Sequence, residues 1–506
     1  MTTIRVAATR NGTGVGLPDG WVEAALDEVC EVNPRRAVFE GVASRTQVTF
    51  VPMAAVDAAS GTIAAPEVKS LSEVAKGYTA FRNEDVILAK ITPCFENGKA
   101  AVAKGLANNL GFGSTEFHVL RTKGAVLPQY VFHYVRQQQF RETAAEEMTG
   151  TVGQKRLPAA YLRQLVLPIP PIAEQGRIVA AVEALVGRVD AVRGRLSEVS
   201  TLLRRFRQAV LAAACSGGLT QGSSDGSEGE REESAQDLIR ALGATGTAML
   251  GSTEESEGAQ ELPDTWGSCP FGLLANNYDG RRVPVKSADR EKRRGPYPYY
   301  GASGVIDTID AYLFDGEYLL IAEDGANLLS RSTPIAFRAA GRFWVNNHAH
   351  VVQPKSGIVL GFLEIFLNSL DLQHFVTGTA QPKLTQAALN GIAVPLPPTT
   401  EQSEIVRRVE ALRAVAETIE KRVAAASVRA ARLPQAILGK AFSGELLPTE
   451  AELSRREGRE YESAGALLSR LAAELQGEIA SCVSSASGNA DRASNRRSRQ
   501  GARGTR

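Results

Sequence analysis

Apolar side chains recur with heptad spacing in two long stretches. Ile178, Val182, Leu185, Val189, Val192, Leu196, Val199, Leu203, Phe206 and Val210 follow one another in steps of four and three. Ile405, Val409, Leu412, Ala416, Ile419, Val423, Ala426, Ala430, Leu433 and Ile437 repeat the pattern. This spacing predicts helices with a coiled-coil seam. The 33 residues from Ile178 to Val210 amount to about 49 Å at 1.5 Å per residue. Each stretch opens on a Pro-Pro pair suited to a first turn, with Glu174 or Glu401 near the positive end of the macrodipole. Each closes on Ser-Gly, where Gly217 and Gly444 can take a left-handed cap.

The two stretches are copies. LPIPPIAEQGRIVAAVEAL from Leu167 matches VPLPPTTEQSEIVRRVEAL from Val394 at an offset of 227, with 11 of 18 positions identical between Pro168 and Leu185. The same offset still pairs Gln208-Ala209, Ser216-Gly217 and Leu219 with Gln435-Ala436, Ser443-Gly444 and Leu446. No insertion separates the ends, as a continuous helix demands, because one extra residue turns everything beyond it by about 100°. The phrase LPDGW (Leu17 to Trp21) likewise recurs as LPDTW (Leu262 to Trp266). Two independent core helices are the alternative, but matching length, register and caps favour an antiparallel pair.

Residues 17–169 and 262–396 lack helical periodicity and carry short apolar runs between turn residues, such as DVILAKI and EYLLIAEDG. The prediction is an α+β chain: two mixed α/β domains joined by two long antiparallel coiled-coil helices (170–219 and 397–447), in a pseudo-twofold internal repeat. Around these lie an unstructured N-terminus (1–16), an acidic linker (220–261), a closing segment (448–483) and a basic tail (484–506). SAQDLIRAL in the linker resembles SAGALLSRL near the end, so each copy is expected to finish in a short helix.

Composition then excludes several classes. The 506 residues carry 57 basic and 56 acidic side chains, enough chain for two or three domains. Residues 222–261 hold ten acidic and two basic side chains, whereas the tail from Ser484 holds six Arg and one Asp. Overall charge therefore does not by itself point to nucleic acid. Cys30, Cys94, Cys215, Cys269 and Cys482 form no CxxC pair, which fits a reducing cytoplasm and argues against a zinc cluster. There is no apolar run of membrane-spanning length, and MTTIRVAATRNGTG lacks a signal-peptide core. A cytoplasmic protein without a membrane partner is expected.

Catalytic motifs are missing: no Walker A, HExxH, GxSxG or adenine-methyltransferase tetrad. GTGVG at Gly12 neither follows a strand nor opens a helix. His348 and His350, two apart on a strand, could share a metal, but no third ligand is apparent and FWVNNHAHVV reads as a half-buried strand; no metal is expected. Glu84, Asp85 and Lys90 loosely suggest a nuclease cluster, but without the Glu-x-Lys element a strand-end ion pair is the better reading.

What remains is a set of polar, Gly- and aromatic-containing loops, once per block. The first block offers KITPCFENGKA, with Lys90, Thr92, Asn97 and Lys99, and GSTEFHVLR, with Ser114 and Thr115. The second offers RRGPYPYYGASG, with Arg293, Arg294, Tyr297, Tyr299, Tyr300 and Ser303, and EDGANLLSR with Asn327; the resemblance described below adds Asn346, Asn347 and His348. Residues 281–294 hold seven basic and two acidic side chains. Such side chains suit base edges and phosphates. Each block also closes on a similar element, GTVGQKRL and GTAQPKL, whose Lys155 and Lys383 are candidate phosphate contacts. These residues form the candidate DNA-binding set, and no catalytic residue is assigned.

The duplicated Pro-Pro-x-x-Glu-Gln starts, ITPCFENGKA, YYGASG and NNHAHV together resemble the specificity subunit of a type I restriction-modification system, over most of the chain from Leu17 to about Leu471. The resemblance implies two target recognition domains, each reading half of a split double-stranded DNA site. It also implies two conserved helices that act as a ruler and dock two modification subunits. Catalysis would belong to partners: methyltransferase subunits using S-adenosylmethionine, and restriction (helicase-nuclease) subunits using ATP and Mg2+. This chain would bind no cofactor itself and would not be an enzyme. A 49 Å spacer exceeds one turn of B-DNA, about 34 to 36 Å, so unread bases can lie between the halves. The alternative is a coiled-coil interaction scaffold that reads no DNA; a self-contained methyltransferase or nuclease is disfavoured by the missing motifs.

Overall fold

The computed structural model describes residues 16–35, 42–151, 153–221, 234–243, 262–378 and 381–477. The disorder expected of 1–15, of most of the acidic linker and of 484–506 concerns residues outside that set. The chain divides into two compact units, 1–194 with 427–506, and 195–426. Both boundaries fall inside the long helices.

Those helices are Ile172–Cys215 and Thr399–Phe442, 44 residues each. They begin directly after the Pro-Pro pairs and end before Gly217 (φ +81°) and Gly444 (φ +77°), so the glycines do take the left-handed conformation. In the first unit the start of the first helix packs on the end of the second, through Ile178 and Val182 against Leu438, Ala441 and Phe442. In the second unit the end of the first helix meets the start of the second: Val210 and Ala214 share a core with Ile405 and Val409. Arg207 also pairs with Glu420 at 2.7 Å there. Within each unit the helices thus run antiparallel.

The seam is narrower than the heptad pattern suggests. Val182, Val189, Leu203 and Val210 are buried, as are Val409, Ala416 and Ala430, whereas Val192, Phe206, Ile419 and Leu433 from the alternate positions are exposed. A two-helix pair covers one stripe of each helix, and the next stripe stays open.

In the first unit, strands Cys30–Val32, Phe117–Thr122, Val86–Ala89 and Ala100–Val102 form one sheet in that order. Glu67–Ser70, Gln47–Val51, Leu110–Gly113 and Thr79–Arg82 form another. Ile87, Phe117 and Val119 from the first sheet pack with Val51 and Phe81 from the second. Alternation then sends Val86, Leu88 and Leu120 to the opposite face, under helices Pro128–Val135 and Gln138–Glu146 and the helix at 464–477. The second unit is built on one six-stranded sheet, ordered Ala275–Asn277, Ala349–Pro354, Phe314–Ala322, Ala336–Val345, Tyr297–Gly301, Gly304–Ile309. Leu319 and Ile321 enter the core beneath helix Leu360–Ser369, whereas Tyr318 and Leu320 face an aromatic cluster with Phe314 and Phe343.

Each block is closed by the same device. Val22–Ala25 pairs antiparallel with Val166–Ile169, and Gly267–Pro270 with Ala393–Leu396, bringing the first and last strands of a block together at the root of its helix. Trp21 then donates to Glu174 at 2.9 Å and Trp266 to Glu401 at 3.0 Å. The following glutamines complete the joint: Gln175 accepts from Leu127 N and Gln402 from Val359 N, both at 2.8 Å. The predicted short helices are present at Ala235–Ala241 and 464–477, where Ala235 N donates to Thr265 O and Ala464 N to Gly20 O.

Candidate nucleic-acid interface

In the first block, three of the predicted segments meet. The chain leaving strand Val86–Ala89 runs between the segment at Ser114–Glu116 and the hairpin Thr149–Thr151/Gln154–Arg156. Lys90 N donates to Glu116 O at 2.9 Å, Leu157 N to Lys90 O at 2.8 Å and Thr92 N to Lys155 O at 3.0 Å. Thr92 Oγ1 also accepts from Lys155 N at 3.1 Å. Lys90, Thr92, Lys155 and the segment of Ser114 and Thr115 are therefore brought together. Lys90 and Thr115 also line a shallow cleft with Asn33 and Tyr78. Asn97 is exposed on the turn beyond. Lys99 is different, because its amino group donates to Met53 O at 2.9 Å and braces a loop.

The second block repeats this joint. Leu384 N donates to Glu323 O at 2.8 Å and Glu323 N to His348 O at 2.9 Å. The Asp324–Lys383 bridge stands where Ile91–Arg156 stands in the first block. Lys383 therefore corresponds to Arg156, not to Lys155, as the offset of 227 itself requires. Both cations are held by carboxylates: Arg156 by Glu116 at 2.9 Å and Lys383 by Glu323 at 3.1 Å. The Arg156 guanidinium holds Glu116 below its ordinary range. Burial pushes Glu323 upward, but hydrogen bonds from Arg282 and Lys383 outweigh it and the net shift is downward.

Under each joint lies a buried histidine: His118, which sequence reasoning passed over, and His350, which it weighed only as a metal ligand. His118 Nε2 donates to Leu157 O at 2.8 Å, and His350 Nε2 donates to Leu384 O at 2.8 Å. Asn33 Nδ2 lies 3.0 Å from His118 Nδ1, and burial lowers the His118 pKa. His350 Nδ1 instead meets the Asp279 carboxylate at 2.6 Å.

Several of the predicted residues also have partners within the fold. Tyr299, 1% exposed, is core: its hydroxyl accepts from Val285 N at 2.9 Å. Asn346, 6% exposed, accepts from His348 N at 2.9 Å and shapes the turn. Asn327 ties its own loop through Ser332 and Thr333. Arg293 pairs with Asp310 at 2.8 Å and covers Trp344. Much of the basic run is spent internally in the same way, Arg282 on Glu323 and Arg290 on Asp307. Arg294, Lys286, Lys292, Ser303 and Asn347 are exposed, and Tyr297 and Tyr300 are half-buried on the strand next to the sheet edge.

His348 precedes its strand and pairs with Asp324 at 2.9 Å, apart from His350. His350 does have carboxylate neighbours, Asp279 and Glu323, within ligand range of one another. Arg282 contacts both, at 3.5 and 2.6 Å, and supplies the cation such a cluster needs. Asp85 pairs with Arg121 at 2.7 Å rather than with Lys90, the strand-end ion pair in another form. No helix among the described residues is long and apolar enough to cross a membrane.

The model of the type I restriction modification DNA specificity domain matches residues 18–201 and 263–426, each block with the larger part of the helix that follows. The chain belongs to this family. The type I restriction enzyme EcoAI specificity subunit of Escherichia coli is 37% identical over 175 residues, 34% of this chain but 29% of that protein's length. The StySPI specificity subunit of Salmonella potsdam is 28% identical over 399 residues, 72% of this chain and 75% of that one. The fold is shared with a chain of a type I R-M system solved for its complex assembly and conformational transition (TM-score 0.62, 22% identity, 85% of this chain and 100% of that one). It is also shared with the HsdS subunit from Thermoanaerobacter tengcongensis (TM-score 0.57, 22% identity, 85% and 99%). The reading as a coiled-coil scaffold that reads no DNA is not favoured by this membership.

Proposed function

We propose that this chain is the sequence-specific DNA-binding subunit of a type I restriction-modification complex, with each block reading one half of a split, asymmetric duplex target. The observation that carries the reading is the duplicated joint. One backbone scaffold presents Lys90, Glu116 and Arg156 in the first copy and Glu323, His348 and Lys383 in the second. Equal scaffolds with unequal donors and acceptors suit two different half-sites. The exposed stripes on the long helices suit docking of two modification subunits, and the helices themselves set the spacing between the half-sites. Catalysis is assigned to partners: S-adenosylmethionine to the modification subunits, ATP and Mg2+ to restriction subunits.

The test is a footprint on duplex DNA with the modification subunit bound. Two short protected patches separated by unprotected bases support the reading; uniform retardation of any DNA, without patches, contradicts it.

A further inference from the structure

We infer that Arg156 and Lys383 are the equivalent DNA-contacting cations of the two copies, and that His118 and His350 are positioning residues that aim them. This rests on the DNA-reading function proposed above and names residues within it.

The argument starts from accessibility. The side chains of Arg156 and Lys383 are 46% and 50% exposed, whereas their carboxylate partners Glu116 and Glu323 are 24% and 12% exposed. Each cation is therefore anchored from below with its outer edge free. For Arg156 the anchor takes Nε and Nη2, whereas Nη1 has a weak contact with Gln154 O at 3.5 Å. An arginine oriented this way has lost rotamer freedom before binding and still offers donors to a guanine edge or a phosphate oxygen.

The histidines fix where the anchored cation stands. Arg156 and Lys383 each precede the leucine whose carbonyl takes the buried imidazole N–H, at 2.8 Å in both copies. That leucine's own N–H is committed to Lys90 O or Glu323 O. Both polar groups of one peptide residue are thereby tied to the sheet, one residue from the cation. Without the imidazole the carbonyl is left unsatisfied and the segment carrying the cation is free to shift. The remaining imidazole partner differs, Asn33 in one copy and Asp279 in the other, so the shared element is the link to the leucine carbonyl.

The experiment uses the full chain with its modification subunit on duplex DNA carrying the motif methylated by the wild-type complex. Arg156→Ala should need about tenfold or more protein to protect one patch and leave the other unchanged, and Lys383→Ala should do the reverse. His118→Ala should weaken the same patch as Arg156→Ala. His118→Gln, whose amide can still donate to Leu157 O, should restore it, a rescue that general destabilisation would not give. A motif relaxed at one base assigns Arg156 to a base edge, whereas an unchanged motif with a reduced salt dependence assigns it to a phosphate. The inference is overturned if Arg156→Ala and Lys383→Ala leave both patches intact or weaken both equally. Failure of His118→Gln to rescue overturns the positioning role. A wild-type complex that protects no patches overturns the functional reading itself.

Discussion

Trp21 donates its indole N–H to Glu174, 153 residues further on, at 2.9 Å, and the same carboxylate accepts from Glu450 N at 2.8 Å. In the other copy Glu401 accepts from Trp266 at 3.0 Å and from Thr220 at 2.6 Å. Each carboxylate thus gathers three separate segments at one helix root. Burial raises the Glu174 pKa, and its two donors partly offset that cost. Removing one donor should leave a buried acceptor unmet. Trp21→Phe is expected to lower stability by about 1 to 3 kcal/mol, and Trp266→Phe by a similar amount, measured by urea denaturation followed by circular dichroism. No change in either midpoint would remove the clamp from the account.

Asp279 provides a pH-dependent prediction. Burial pushes its pKa up, but His350 and the Val351 and Asn277 contacts outweigh this, and the net value lies below the ordinary 3.8. A carboxylate with a depressed folded pKa adds stability that is present above 3.8 and lost as the pH falls through its folded value. Asp279→Asn should therefore be destabilising near pH 6, and its difference from the wild type should shrink progressively below pH 4. A difference that stays constant from pH 6 to pH 3 would contradict this assignment.

Arg294 is exposed, whereas Arg282, Arg290 and Arg293 are held in ion pairs. If Arg294 meets a phosphate, Arg294→Ala should reduce the salt dependence of DNA binding by about one phosphate contact, a slope change near 0.9, without altering the motif. The measurement is affinity across a salt series. An altered motif with an unchanged slope would instead make Arg294 a base reader.

The long helices were legible in the sequence because their constraint is local: heptad spacing, caps and an unbroken offset of 227 all survive without knowledge of contacts. The partner of Trp21 was not legible, since nothing near either residue announces a contact 153 positions away. For the candidate interface, residue type alone does not show which side chains are also held by the fold. Tyr299 and Arg293 stand in one basic, aromatic run, but Tyr299 lies in the core, whereas Arg293 lies over Trp344 and stays partly exposed beside Asp310. The match of Arg156 with Lys383 was available in the offset but obscured by matching lysine to lysine. His118 and His350 lie 232 positions apart, out of step with the helices, so only their common hydrogen bond to Leu157 and Leu384 reveals them as equivalents.

Inserting four residues after Val192 tests the helices. The first helix would lengthen by about 6 Å and turn its later seam away from the second helix, since four residues do not complete a heptad. Recognition of the original target should be lost, by footprint with the modification subunit. Unchanged binding to the original target would refute the spacing role.

The central claim, two independent readers in one chain, is tested most directly by exchanging residues 262–396 for the matching block of a relative and sequencing the methylated sites in cells that also express the modification partner. The account predicts a split motif in which one half changes and the other stays as it was. A change in both halves, or an uninterrupted motif, would contradict it.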